Sequence, residues 1–385
     1  MLRGIGWDHT RAMAPLYSLA QVRRDREGHD VVQWDTRSLV SFAEEALDRF
    51  DGYDLVVWDY PLAGEAAEKS WVYDLNQLLP PDLLAARREA AMGGMYDAFN
   101  WRGAQTALPM DAASQVSCWR PDLLEAAGLD RPSSFEQAIT LARETQRVAM
   151  PFTRTAVWAA MLCLCANEGH TPMRDASHAL DRDSARRAFD QIARLKAHIP
   201  DAYYERSPVK VLNTMSGSDE AIYCPLVYGY STYSMRGYAQ NALAFGDIQL
   251  SDDRPPVGAV LGGAGIGVLK SSKQPEAAAA FAAWLTSDLV QSTLYVQFGG
   301  QAAARAAWLD NAADRIAGGF YSATRSSMDL AYVRPNVPGF HDFQARSGLA
   351  LQACLQDGGA INAVLNGIDQ DWTRTLAGST EVRHA

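Results

Sequence analysis

The chain has 385 residues, of which 48% are hydrophobic, and its formal net charge at pH 7 is −10. This length predicts about two to three domains, and the composition is ordinary for a soluble globular protein. The acidic balance argues against a nucleic-acid partner, because a nucleic-acid surface requires clustered Lys and Arg. No apolar run approaches the roughly 18 residues that a membrane-spanning helix requires.

The first sixty residues alternate between strand and helix patterns. Strands are predicted over residues 2–6, 29–33 and 53–58, with helices over 12–27 and 38–50 between them. A β-α-β-α-β order predicts parallel strands joined by right-handed crossovers. The N-terminal part is therefore expected to be an α/β unit.

The rest of the chain is richer in helices. Residues 101–111 indicate a turn and a strand, and 113–119 a further strand, before a largely helical stretch that runs to about residue 196. This stretch is expected to belong to a second domain. Later predictions are a strand over 221–228, two strands around a glycine turn over 257–269, and a helix over 274–285.

Three Trp-Asp pairs follow predicted strands in the N-terminal unit. The carboxyl ends of parallel strands converge on one crevice, where ligands bind. Trp offers an apolar face with a polar edge, and Asp offers hydrogen-bond acceptors, which together suit a sugar. The alternative for any single Trp is core packing. The pairs are Trp7-Asp8, Trp34-Asp35 and Trp58-Asp59.

Two further residues of the first strand-end loop are candidates. Arg11 could bind a carboxylate or phosphate through its guanidinium, or it could be a surface residue in the first helical turn. His9 with Asp8 could form a metal or acid–base pair, but we favour a ligand loop. No His-x-x-x-His spacing occurs, so neither a metal nor a cofactor is predicted.

Aromatic and glycine-rich segments supply the remaining candidates. Tyr228, Tyr230 and Tyr233 lie in a loop rich in Gly and Ser, where rigid rings make a good recognition surface. Gly262 and Gly263 open a glycine run without the spacing of a nucleotide-binding loop, so we expect a close backbone approach to a ligand or a neighbour. The five cysteines are expected to be small hydrophobic residues, because an odd count at low density does not indicate a disulfide framework.

Four segments together resemble the family-1 extracellular solute-binding proteins of ABC importers, the maltose-binding-protein-like group. They are a Trp-Arg-Pro-Asp-Leu-Leu motif beginning at Trp119, the glycine run 262–267 with its following helix, Gly-Gly-Gln-Ala-Ala-Ala-Arg at 299–305, and the aromatic loop 223–233.

The resemblance implies an α/β fold of the two-lobed periplasmic-binding-protein type II class, with a ligand cleft between the lobes. By analogy, lobe one comprises residues 1–108 and 255–305, and lobe two comprises 109–254 and 306–385. It also implies no catalysis, and delivery of a solute to a membrane permease. Asp111 follows the first crossover and is expected to face the cleft.

The sequence thus predicts a monomeric binding protein that closes on a carbohydrate, with the three Trp residues stacking and Asp8, Asp59 and Asp111 accepting hydroxyls. One alternative is an organic acid held by Arg11 and His9. Others are a cytoplasmic sensor of the same fold, or a glycoside hydrolase that uses the cleft carboxylates. No secretory signal precedes the strand at Leu2. The expected location is periplasmic or extracellular if a signal peptide has been removed, with an ABC permease as partner, and cytoplasmic otherwise.

Overall fold

The computed structural model describes residues 1–381 and shows a mixed α/β protein. The strands are β1 (Leu2–Trp7), β2 (Val32–Arg37), β3 (Leu55–Trp58), β4 (Asn100–Trp101), β5 (Ala104–Gln105), β6 (Leu108–Trp119), β7 (Tyr223–Tyr228), β8 (Ala244–Gly246) and β9 (Leu261–Val268).

The first ten helices include every helix between β1 and β7. They are α1 (Thr10–Glu27), α2 (Leu39–Glu44), α3 (Ala63–Glu68), α4 (Pro81–Ala90), α5 (Met95–Ala98), α6 (Pro121–Ala127), α7 (Phe135–Thr145), α8 (Arg154–Asn167), α9 (Arg182–Lys196) and α10 (Pro208–Gly217).

The remaining helices follow β9. They are α11 (Pro275–Leu285), α12 (Asp288–Val290), α13 (Arg305–Leu309), α14 (Asn311–Ile316), α15 (Phe320–Asp329), α16 (Phe340–Asp357) and α17 (Ile361–Glu381). A π-helical turn, Gln291–Tyr295, continues α12. No helix among residues 1–381 is both long and apolar enough to span a bilayer.

One sheet runs through both sides of the molecule in the order β2-β1-β3-β9-β6-β7, with β8 also paired to β6. Strands β2 and β3 are parallel to β1, whereas β9 is antiparallel to both β3 and β6. The N-terminal part of β6 pairs with β9, and its C-terminal part pairs with β7 and β8. Strand β6 therefore links a β1 side, made of β1–β3 and their helices, to a β7 side, made of β7, β8 and α7–α9.

Local signals explain where α1 begins and ends. The His9 side chain accepts a hydrogen bond from the Arg11 backbone N–H, which caps the helix N-terminus. Gly28 ends the helix with φ of 77°, a left-handed conformation that glycine adopts without a Cβ clash. The cap matters for function because it fixes His9 and Arg11 at the carboxyl end of β1.

The β7 side is built around α8, which is apolar on every face. Its residues from Ala156 to Cys165 are all buried. A helix that is hydrophobic all round belongs inside a core. Trp158 packs edge-to-face on Phe343 of α16, with ring centroids 5.7 Å apart. Cys163 and Cys165 are buried free thiols, as the sequence predicts.

Several predicted elements differ from the structure. The helix predicted over 38–50 is α2 followed by a separate 3-10 turn, Leu47–Phe50. Strand β2 starts at Val32 and runs to Arg37, not over 29–33, because its register pairs Leu2 with Val32. The two strands expected over 101–119 are largely one long strand, β6. The glycine run is likewise not a turn between two strands, since it lies within β9.

Candidate functional site

A cavity of about 410 Å³ lies between the β1 side and the β7 side. Strand ends and crossover segments meet here, which is where ligands bind in open α/β sheets. The residues around it are Trp7, Arg11, Leu39, Phe42, Asp59, Asp111, Ala113, Thr153, Arg154, Thr155, Ser207, Pro208, Tyr228, Tyr230, Gly262, Gly263, Ala264, Arg334, His341 and Gln344.

The first two glycines of β9 bring the backbone close to neighbouring groups at this cavity. A Cβ on Gly262 would lie 2.7 Å from the Tyr228 ring. A Cβ on Gly263 would lie 2.2 Å from the Asp111 carbonyl oxygen, and the φ of Gly263 is 116°. Only glycine fits such a position without strain. The predicted close approach of backbone to a neighbour is therefore present, and the neighbours are Tyr228 and β6.

Arg11 forms a buried ion pair with Asp111 that joins α1 to β6. Nε of Arg11 donates to Oδ2 of Asp111 at 2.7 Å, and Nη2 donates to Oδ1. Nη1 donates to the carbonyl oxygen of Gly229 at 2.8 Å, which extends the link to the β7 side. Burial lowers the pKa of Arg11, but the Asp111 carboxylate outweighs burial and keeps Arg11 charged.

This pairing changes the roles predicted for both residues. Both oxygens of Asp111 already accept from Arg11, so a ligand hydroxyl would have to share these acceptors with Arg11. Arg11 is only 4% exposed and is engaged by Asp111 and Gly229, so it has a structural role, and its contact with a solute stays a prediction.

His9 supports this ion pair and does not face the cavity. Its Nδ1 accepts from the Arg11 backbone N–H at 3.0 Å, and its ring lies 4.9 Å from the Tyr230 ring. Burial first, and then the Arg11 charge, lower the pKa of His9 to about 4. His9 is therefore neutral near pH 7 and is not an anion receptor. Within residues 1–381 no group of three or more His, Cys, Asp or Glu side chains is arranged to hold a metal ion.

A second network surrounds Asp59 and Arg334. The backbone N and Nε of Arg334 donate to the Tyr60 hydroxyl at 3.1 and 3.0 Å, and the Tyr60 hydroxyl donates to the carbonyl oxygen of Leu261 at 3.2 Å. Nη1 of Arg334 donates to Gln344 of α16 at 3.0 Å. Nη2 of Arg334 lies 3.6 Å from Oδ2 of Asp59. Arg334 thus connects the end of β3, the start of β9 and α16.

Asp59 differs from the other cavity carboxylate because one of its oxygens is unused. In the described part of the chain, Oδ1 of Asp59 is buried without a hydrogen-bond partner. Burial raises the pKa of Asp59, and the nearby Arg334 charge opposes that rise. A buried acceptor without a partner costs about 1–3 kcal/mol, so a ligand donor placed there would recover free energy.

Aromatic side chains line the same cavity. Trp7 is 2% exposed, and its ring lies 4.7 Å from that of Phe42. Its Nε1 is a buried donor without an acceptor in residues 1–381. The Tyr230 ring lies under the Arg11 guanidinium at 4.2 Å, a cation–π contact that orients the ring. The cavity therefore combines apolar faces with one unused acceptor and one unused donor.

Six predicted site residues, His9 among them, lie outside the cavity. Trp34 covers Gly4 and packs near Phe281, with ring centroids 6.3 Å apart, so it is a core residue. Trp58 is fully buried and packs edge-to-face on Phe99. Both were predicted to stack on a ligand, and the structure places both in the core instead of at this cavity. Each ring lies against buried neighbours, and neither lines the cavity.

The polar residues outside the cavity have other partners. Asp35 accepts from Tyr53 and Arg3 on the sheet surface. Asp8 is exposed beyond β1 and does not line the cavity. Tyr233 is buried and donates to Asn213 at 2.6 Å. Of the predicted residues, those brought together at the cavity are Trp7, Arg11, Asp59, Asp111, Tyr228, Tyr230, Gly262 and Gly263.

Several cavity residues were not predicted from the sequence. Phe42 lies on α2, and Arg334 lies in the extended segment before α16. His341 and Gln344 lie three residues apart on α16, and this helical spacing puts them on one face. No local motif marks these residues, because the chain segments that bring them to the cavity are far from β1 in sequence.

A larger groove of about 940 Å³ lies between α3, α16 and α17. Its charged residues are largely paired with each other or with neighbours, as in Lys69–Glu65, Arg102–Glu68 and Arg346–Asp371. The smaller cavity, with its unused acceptor and donor at the strand ends, is the better candidate for a ligand site.

The fold is that of a two-lobed α/β solute-binding protein, with the candidate cavity between its β1 side and its β7 side. Residues 41–313 match the family model described as bacterial extracellular solute-binding protein, and the chain belongs to this family. This match and the fold agree with the resemblance and the fold class predicted from the sequence. No curated protein matches the chain.

Solved structures of solute-binding proteins share the fold. One is an ABC transporter solute-binding protein of Agrobacterium radiobacter K84 in complex with ribitol, with TM-score 0.79, 18% identity, and 97% of this chain and 98% of that chain covered. A maltose-bound T. maritima MalE3 has TM-score 0.80, 15% identity and 98% coverage of both chains. A Thermotoga lettingae TMO protein bound with α-D-tagatose has TM-score 0.81, 15% identity, and coverage of 98% and 99%.

Proposed function

We propose that the protein is the substrate-binding component of an ABC importer and that it holds a carbohydrate or polyol in the cavity between its two sides. The observation that carries this proposal is the unpartnered Oδ1 of Asp59, which is buried in the cavity wall. A ligand hydroxyl donating to this oxygen would satisfy it. The bound solutes of the structural neighbours, ribitol, maltose and α-D-tagatose, are rich in hydroxyl groups.

The charges of the cavity favour an uncharged ligand. Arg11 is paired with Asp111, and Asp59 is balanced by Arg334 at 3.6 Å. Arg154 also lies at the wall and has an interaction of its own. An organic acid would have to compete with Asp111 for Arg11 or with Asp59 for Arg334. A sugar or polyol can instead donate to Asp59, accept from the Trp7 indole N–H, and place its C–H faces on Trp7 and Tyr228.

The proposed mechanism is closure of the two sides around the ligand. Trp7 and Asp59 belong to the β1 side, whereas Tyr228 and Tyr230 belong to the β7 side. A ligand that contacts both sets favours the closed arrangement only as far as it binds that arrangement better. The hydrogen-bond networks of Arg11 and Arg334 lie at the segments that cross between the two sides. They would therefore keep the hinge in place while the outer parts of the two sides close on the ligand.

In this proposal the protein acts outside the cytoplasm as a monomer and passes its solute to a membrane permease. Binding itself requires no catalytic group. The family supports an extracytoplasmic location. Fractionation of the native cells, with an antibody to the protein, would test it, and a purely cytoplasmic signal would contradict it.

A thermal-shift screen followed by calorimetry tests the ligand class. The panel contains ribitol, D-mannitol, D-tagatose, D-glucose and maltose, with citrate, succinate and glutamate as acids. A ligand that binds only the native state raises the melting temperature by mass action. Shifts with sugars or polyols would support the proposal. Shifts with acids alone would move the assignment to the cations at the cavity wall.

The variant Asp59→Asn tests the site. It keeps the shape of the side chain but removes the charge, and we expect the affinity for a sugar to fall about ten- to hundred-fold. Asp8→Asn is the matched control, because Asp8 follows β1 yet does not line the cavity. Equal effects of the two variants would contradict this placement of the site.

A further inference from the structure

A small apolar pocket of about 70 Å³ adjoins the candidate ligand cavity on the β7 side. Side chains of α8, of β7 and of the segment before α8 enclose it. They include Met150, Ala156, Ala159, Ala160, Leu226 and Val227. One water molecule requires roughly 10–15 Å³ of such space, so the pocket has room for a methyl or ethyl group.

Three residues belong to the walls of both spaces. Thr155, Pro208 and Tyr228 line the small pocket as well as the ligand cavity. The Tyr228 ring also packs over Gly262 of β9, which fixes its position. A ligand lying on Tyr228 would therefore have the small pocket beside it.

The pocket has few partners for a polar group. Most of its wall is apolar; the polar side chains are Thr155, Tyr228 and Gln115, and Oε1 of Gln115 accepts from the Val260 backbone N–H at 3.2 Å, which leaves the Gln115 amide N–H groups as donors. A hydroxyl there would exchange water for a wall that is mainly apolar, with Gln115 as the main polar partner beyond the shared residues. An alkyl group would have no polar group to desolvate and would gain burial.

We propose that this pocket is a specificity subsite for an alkyl substituent of the ligand, so that the protein prefers sugars carrying a methyl group, such as 6-deoxyhexoses, over their hydroxymethyl parents. This inference rests on the proposed function, since it assumes that a sugar occupies the neighbouring cavity. It adds the chemical group that separates one sugar from another.

Calorimetry with matched sugar pairs tests the subsite. The pairs are L-fucose with L-galactose, L-rhamnose with L-mannose, D-fucose with D-galactose, and 6-deoxy-D-glucose with D-glucose. Each pair differs in a methyl against a hydroxymethyl group. We expect at least one pair to bind with the deoxy sugar favoured by roughly five-fold or more, the ratio that an unpaired hydroxyl costs.

Two variants at one position link the preference to the pocket. Ala159→Val fills the space, and Ala159→Ser keeps the volume but adds a hydroxyl. Both are expected to reduce the preference for the deoxy sugar to about two-fold or less. Because the Ser variant is nearly isosteric, it carries the test even if the Val variant folds poorly.

The outcomes separate the two proposals. Binding of deoxy and parent sugars with equal affinity would overturn the subsite and leave the proposed function standing. A preference that survives both Ala159 variants would also overturn it. Absence of binding by these sugars and by the earlier panel, in a protein that unfolds cooperatively, would overturn the proposed function and the subsite with it.

Discussion

Replacing Arg11 by methionine separates a structural role from a ligand-binding role for this residue. The guanidinium makes two hydrogen bonds to Asp111 and one to the Gly229 carbonyl. Methionine keeps much of the aliphatic length but removes all three bonds. Breaking a buried pair by removing one partner costs about 3–5 kcal/mol, because the remaining charge is left without compensation. We expect a loss of unfolding free energy in that range at pH 8.

The pH dependence of this loss of unfolding free energy should show that Asp111 is the group that Arg11→Met leaves without a partner. Burial already raises the pKa of Asp111, with Arg11 opposing the rise, so removal of Arg11 raises it further. The folded variant then holds a proton that the unfolded chain has released. Folded-state stability therefore falls as pH rises through the interval between the two pKa values, by up to about 1.4 kcal/mol per pH unit.

Urea denaturation followed by tryptophan fluorescence at pH 6 and pH 8 provides the measurement. Arg24→Met on the same helix is the control. Its exposed side chain lies 3.8 Å from Asp30, so it should change stability by less than about 1 kcal/mol. The double variant Arg11→Met/Asp111→Leu should recover most of the loss. If Arg11→Met cost less than about 1 kcal/mol but weakened binding of an anionic ligand, the structural assignment of Arg11 would be refuted.

Three further predictions concern His9, Gly263 and Asp59. The pKa of His9 is about 4 in the folded protein against 6.5 ordinarily, so the unfolded chain binds a proton at this site first as pH falls. The free energy of unfolding should therefore fall by at most about 3 kcal/mol between pH 6.5 and pH 4. Thermal unfolding of His9→Gln should lack this decrease. Gly263→Ala should destabilise by more than about 2 kcal/mol in urea, whereas Gly367→Ala, with open space around it, should stabilise slightly. Calorimetry should show sugar affinity weakening as pH falls through the raised pKa of Asp59, and no such trend in Asp59→Asn.

The fold class could be predicted because its signals are local and repeated. Alternating strand and helix patterns indicated the parallel unit, and four spaced segments indicated the family. The position of β2 could not be predicted in the same way. Its limits follow from pairing Leu2 with Val32 and Trp7 with Arg37 on the neighbouring strand, and this register is a property of the assembled sheet.

That register determines where the second Trp-Asp pair lies in the fold. With β2 ending at Arg37, Trp34 and Asp35 lie within the strand and not beyond it. Alternation along the strand then puts Trp34 on the buried face and Asp35 on the other, near Arg3. Trp58 does end its strand, but its side chain meets Phe99 in the core. A position at a strand end therefore does not by itself place a residue at the cavity.

The paired and the unpaired charged groups of the cavity have different roles, one structural and one proposed for ligand binding. Arg11 reaches Asp111 across 100 positions of sequence, and Arg334 reaches Tyr60 across 274, so both arginines join segments that must meet at the crossovers. Local sequence patterns cannot predict such long-range pairs. Among the carboxylate oxygens of the cavity, Oδ1 of Asp59 has no hydrogen-bond partner within residues 1–381, and it lies next to the Arg334 network. The fold supplies hydrogen-bond donors to the other carboxylate of the cavity, Asp111, but none from the described part of the chain to Oδ1 of Asp59. A binding site for a solute that carries hydroxyl groups requires an acceptor without a protein partner, and Oδ1 of Asp59 is such an acceptor among the described residues.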